Sequence, residues 1–83
     1  TMAYIITHNI IDEEEKRERT AEEKKKYPYE FKLYDDDEEL YFIGYSNDNS
    51  SERAFRPLDT IGASYGCTEI KYRNRDNGKF ETL

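Results

Sequence analysis

The stretch Tyr27–Tyr45, YPYEFKLYDDDEELYFIGY, constrains the chain most, because two aromatic-rich runs flank five consecutive acids. Alternation on either side of a polar centre predicts a β-hairpin with a charged tip. With the turn centred between Asp36 and Asp37, Leu33 faces Leu40, Phe31 faces Phe42 and Tyr29 faces Gly44. One face is then apolar, and the other carries Glu30, Lys32, Tyr34, Glu39, Tyr41 and Ile43. Opposed aromatic and aliphatic pairs contribute roughly 0.2–1 kcal/mol each, enough to hold a register.

The rest of the chain has to complete the sheet this hairpin begins. Residues 3–11, AYIITHNII, are β-branched and apolar, and predict a first strand in a central or covered position. Tyr4, Ile6, His8 and Ile10 line one face, and Ala3, Ile5, Thr7 and Asn9 the other. Residues 12–26 are almost purely charged and lack an apolar stripe, so they predict a flexible connection or a solvated helix beginning near Thr20. There Thr20 and Glu23 fit a capping box. Glu13 with Arg17, Glu15 with Arg19 and Glu22 with Lys26 are the favourable helical pairs.

After the hairpin, Ser51 is a candidate cap and Pro57 suits a first helical turn. Leu58, Ile61 and Tyr65 follow at helical spacing, and Gly66 ends one short helix. The closing stretch CTEIKYRNRDNGKFETL predicts a second hairpin turning at Asp76-Asn77-Gly78. A three-residue loop with Gly78 left-handed sets Phe80 opposite Asn74, on the Ile70 and Tyr72 face, and projects Lys71, Arg73 and Arg75 together from the other. The expectation is a single α+β domain over residues 2–83. It is a small antiparallel sheet of four to five strands, two hairpins plus the N-terminal strand, with one short helix, in the order β-β-β-α-β-β.

Charge placement bears on function more than the total of −6 does. Residues 27–49 hold seven acids against one base, while the flanking segments nearly balance. A negative field concentrated this way repels nucleic acid and attracts basic protein surfaces. The plainer reading is a turn kept soluble by its aspartates. A lone cysteine, Cys67, excludes an internal disulfide framework and fits a reducing compartment. No apolar run reaches membrane-spanning length, so a soluble cytoplasmic protein is expected. Thr1 ahead of Met2 is expected to be an addition to the natural start.

Few residues suggest chemistry. Gly62-Ala63-Ser64-Tyr65-Gly66 matches the G-x-S-x-G nucleophile pattern, but that motif needs a strand-to-helix elbow and a base, and His8 is the lone histidine. Cys67 reads as a small buried residue, and His8 as a half-buried one. Asp35–Glu39 offers hard oxygen ligands, yet calcium loops alternate ligands with spacers and bend at a glycine, so neither metal nor cofactor is assigned. The basic residues Lys71, Arg73, Arg75 and Lys79, with Tyr72, raise a weak nucleic-acid surface against the overall charge.

The succession FKLYDDDEELYFIGY, FRPLD, GCTEIKYRN and KFETL resembles an uncharacterised family of short bacterial, plasmid and phage proteins, over roughly residues 29–83. The family pattern closes the aspartate run with glycine where this chain has Glu38. The resemblance implies a mobile-element setting and no particular activity. With size and charge, it points to a non-enzymatic binding protein that offers carboxylates to a basic surface on a host protein. A nucleic-acid-binding effector is the natural target, as with acidic inhibitors of restriction or CRISPR systems. Asp35, Asp36, Asp37, Glu38, Glu39 and Asp48 would steer and pair, with Tyr34, Tyr41 and Tyr45 as aromatic anchors. The competing expectation is a module that self-associates, as a homodimer, through a sheet edge or the tyrosine-rich face.

Overall fold

The computed structural model describes residues 2–12 and 16–83. Along the chain run β1 (Tyr4–Asn9), α1 (Ala21–Lys26), β2 (Tyr29–Tyr34) and β3 (Leu40–Ser46). A 3₁₀ turn (Glu52–Phe55), a π-helical turn (Leu58–Gly62), β4 (Glu69–Arg73) and β5 (Phe80–Thr82) follow. The strands form one open antiparallel sheet in the spatial order β1-β3-β2-β4-β5. This is the expected α+β class, with α1 added between β1 and β2. β1 is not central. It stands at the margin beside β3, where His8 bridges to Lys16 and the Arg17 N–H donates to the Thr7 carbonyl at 3.0 Å. Among the described residues no helix is long and apolar enough to cross a membrane.

The core lies on one face of the sheet. Phe31, Leu33 and Phe42 are fully buried and Ile70 is 1 % exposed, and Ala54, Cys67 and Tyr72 join them from the helical connection and β4. Burying side chains of this size contributes roughly 1.5–3 kcal/mol each. The Tyr4 and Tyr72 rings flank Phe31, both with centroids 5.9 Å from it. Gly44 sits beneath the Phe31 ring, and a Cβ there would lie 2.6 Å from Phe31 Cζ and 2.3 Å from the Ile5 carbonyl oxygen.

The first hairpin is offset from the expected register. Leu33 faces Phe42, Phe31 faces Gly44 and Tyr29 faces Ser46. The shift is two residues, an even number, so these side chains keep the face the alternation assigns them. Its origin is the tip. Asp35 N–H donates to the Glu39 carbonyl at 3.0 Å, closing a three-residue loop with Glu38 left-handed at φ 62°. A bulge then makes Tyr41 the unpaired residue between Leu40, opposite Tyr34, and Phe42. Leu40 and Tyr41 accordingly exchange faces: Tyr41 packs against the core and Leu40 joins Tyr34 on the outer face. A second bulge at Thr7 turns His8 away from Tyr4 and Ile6 to sit opposite Ile43 on that outer face.

The second hairpin also departs by one residue. Asn74 N–H donates to the Lys79 carbonyl at 2.7 Å, leaving four residues in the loop, and Arg73 faces Phe80. Asn74 Oδ1 accepts from the amides of Asp76 and Asn77, winding in the extra residue before Gly78, which is left-handed as expected at φ 76°. Phe80 therefore lies with Lys71 and Arg73, not with Ile70 and Tyr72. Arg75 leaves that basic group, its guanidinium standing 5.6 Å over the Tyr29 ring.

The connection from β3 to β4 covers the core face. Ser51 Oγ caps its start by accepting from Arg53 N–H, and the Tyr72 hydroxyl donates to the Ala54 carbonyl at 2.7 Å. The expected α-helix is replaced by 3₁₀ and π geometry. The Thr60 and Ser64 hydroxyls donate to the carbonyls of Arg56 and Thr60, in competition with the regular ladder. Gly66, left-handed at φ 81°, ends the segment.

Before β2, α1 carries the expected capping box between Thr20 and Glu23 and buries none of its residues. Lys26 pairs with Glu22 at 3.7 Å, while Arg17 pairs with Glu23 at 2.8 Å. The expected pairs Glu13–Arg17 and Glu15–Arg19 include residues outside those described.

Candidate functional site

The acidic tip is built around one carboxylate. Asp35 Oδ1 accepts from the Asp37 and Glu39 amides, both at 2.9 Å, and the Tyr41 hydroxyl donates to the same carboxylate. The bond from Glu39 N–H is the first cause that holds the Asp35 carboxyl below its ordinary range. In return the bond to Asp35 raises the Tyr41 hydroxyl above its own. Asp35 thus shapes the turn through its Oδ1. Asp36, Asp37, Glu38 and Glu39 are exposed, and among the described residues none of them is in an ion pair.

The other expected site residues do not gather here. Asp48 follows the far end of β3, and its carboxylate accepts from the Ser50 and Ser51 amides, both at 2.9 Å, and from the Ser51 hydroxyl at 2.5 Å. The Ser51 hydroxyl is the first cause that lowers its carboxyl to about 2. Tyr45 lies one residue from that same end, under the Arg19 guanidinium at 3.7 Å. Its hydroxyl is raised first by burial and then by the Glu30 charge. Tyr34, like Tyr41, is next to the tip and half-buried, with Lys71 Nζ 4.9 Å above its ring.

The remaining candidate chemistry is not assembled. Oxygens of Asp35, Asp36 and Asp37 lie within 4.8 Å of one another, but the Asp35 carboxylate is already committed to the turn. The Ser64 hydroxyl donates to Thr60 within the helical layer, so the G-x-S-x-G match lacks its elbow. His8 is on the outer face and bonds to the Thr7 hydroxyl through Nδ1, with the sheet between it and both Ser64 and Cys67. Burial, and after it the Asp35 charge, raises the Cys67 thiol.

Two features escaped the reading of the sequence. A groove of about 620 Å³ runs beside β1, lined by His8, Lys16, Arg19, Lys24 and Tyr45 among others. Lys32 and Lys71 stand directly opposite each other between β2 and β4, and the Lys32 ammonium lies 4.1 Å over the Phe80 ring. Pairing between the two hairpins was the missing information; the lysines themselves were plain in the sequence. No family model, curated protein or solved structure matches this chain, so its site has to be argued from its own geometry.

Proposed function

We propose that the protein is a non-enzymatic binding protein that presents its acidic hairpin tip to a basic surface on a host protein. The reading extends to a mobile-element inhibitor of a nucleic-acid-binding or defence effector, acting in the cytoplasm. One observation carries it: Asp36, Asp37, Glu38 and Glu39 are consecutive, exposed and without ion-pair partners among the described residues, on a backbone fixed by Asp35.

A preorganised cluster of this kind steers a basic partner and orders few side chains on docking, which favours fast, salt-sensitive association. Glu38 adds support, since a non-glycine residue held left-handed at φ 62° stores strain at the point of contact. Asp35 and Asp48 support the fold here and drop out of the contact set. Tyr34 and Tyr41 are the aromatic anchors beside the tip, and Tyr45 lies away from it.

The test is capture from a bacterial lysate by the intact protein and by a D36N/D37N/E38Q/E39Q variant that keeps Asp35. The reading expects a basic nucleic-acid-binding protein on the first and not on the second, released by salt or by added duplex DNA. Equal capture by both would overturn it.

A further inference from the structure

We propose that the open side of the outer sheet face binds single-stranded nucleic acid without sequence preference. Its residues are Lys32, Tyr34, Lys71, Arg73 and Phe80. The site borders the acidic tip at Tyr34, its other residues lie apart from the tip, and it does not rest on the tip's proposed role.

The outer face divides in two. Over β1 and β3 it is partly covered, with Arg19 stacked on Tyr45 and Lys24 of α1 beside the same groove. Over β2, β4 and β5 solvent reaches it: Lys32, Tyr34, Lys71 and Phe80 are half-buried and Arg73 is exposed. Like charges directly opposed across a sheet are destabilising, yet Lys32 and Lys71 occupy such a pair. Among the described residues neither has a carboxylate within ion-pair distance. Of the acids on this face, Glu69 is engaged by the Thr82 hydroxyl at 2.6 Å, and Glu30 lies opposite Tyr45.

The two ammonium groups part to opposite sides, Lys32 onto Phe80 at 4.1 Å and Lys71 onto Tyr34 at 4.9 Å. Two rings and two unneutralised cations therefore share one accessible surface. A single strand satisfies both: phosphates draw the lysines and relieve their repulsion, and bases take over the ring faces. A duplex, with its bases stacked inside, supplies only the first. The acidic tip does not forbid approach. Lys32 is four residues from Asp36, about 13 Å along an extended strand. The screening length at physiological salt is about 8 Å.

Fluorescence anisotropy with a labelled fifteen-nucleotide oligo(dT) tests this, using the whole chain. The intact protein is expected to bind at physiological ionic strength, where the tip is screened, and K32Q/K71Q to bind about ten-fold more weakly. Removing two phosphate contacts from a single strand should also flatten the log–log salt slope by about 1.4. Phe80→Leu is expected to weaken binding about ten-fold with the slope unchanged, since it removes stacking alone.

The K32Q/K71Q variant loses a repulsive pair together with two cation–π contacts of similar size, so its melting point should stay close to the parent's, and a thermal melt separates loss of binding from unfolding. The tip variant D36N/D37N/E38Q/E39Q is expected to bind the oligonucleotide at least as well as the parent. No binding by the intact protein, binding unchanged in K32Q/K71Q, or equal affinity for poly-glutamate or duplex DNA would each overturn the proposal.

Discussion

Glu38 is the residue whose identity and conformation disagree most. At φ 62° it occupies the left-handed position that closes a three-residue hairpin loop, where glycine carries no Cβ penalty. Replacing it with glycine should stabilise the fold by about 1 kcal/mol. For a chain of this size that raises the thermal midpoint by about 4–8 °C, measurable by calorimetry. Gly44 is the opposite case. A methyl group there would meet Phe31 Cζ at 2.6 Å and the Ile5 backbone, so Gly44→Ala should cost about 2–4 kcal/mol in a denaturant titration. Alternation does not mark Gly44 as unusual: only the register shows that Phe31 fills the space above it. The burial of Cys67 was legible without coordinates, whereas the face His8 takes was not.

At the level of elements, short caps rather than long helices hold the connections. Asp48 organises the loop after β3, and Glu23 ties α1 to Arg17; each carboxyl is lowered to about 2, from 3.8 and 4.5 respectively. The first cause is the Ser51 hydroxyl for Asp48 and the Arg17 guanidinium for Glu23. Because the folded values lie below the unfolded ones, the stability these bonds contribute is fully present above about pH 4.5 and is lost as pH falls toward 2. Carboxyl ¹³C titration should show both still ionised at pH 3, and Asp48→Asn should flatten the acid limb of the stability curve. The Tyr72 hydroxyl, raised to about 12 mainly by burial, stays protonated and bonded to Ala54. Tyr72→Phe should therefore cost about 1–2 kcal/mol by orphaning that carbonyl.

Strand existence and the core face followed from the period-two pattern of Tyr29, Phe31, Leu33 and Phe42. Bulges at Thr7 and Tyr41 and the four-residue loop before Lys79 did not. Each depends on local hydrogen bonds, such as those of Asp35 and Asn74, that alternation does not encode. His8, Leu40, Tyr41 and Phe80 changed faces for this reason.

Across the whole molecule, charge is sorted in space. Four consecutive exposed acids, Asp36 to Glu39, stand at the tip of β2 and β3, while the outer face over β2, β4 and β5 carries opposed lysines and aromatic rings. The charge run was readable directly, and the opposed lysines only once β2 was seen to pair with β4. Sheet edges give little purchase to a second copy, since β5 is three residues long and β1 is met by Lys16 and Arg17. Sedimentation at low and high salt should accordingly return a monomer, and a salt-insensitive dimer would favour self-association.

The most direct check on the account is an amide NMR footprint of the ¹⁵N-labelled protein with its captured partner. Perturbation concentrated at residues 36–39, with the Asp48 turn unchanged, is the predicted result. A footprint on the helical layer or along β5, with the tip amides unmoved, would contradict it.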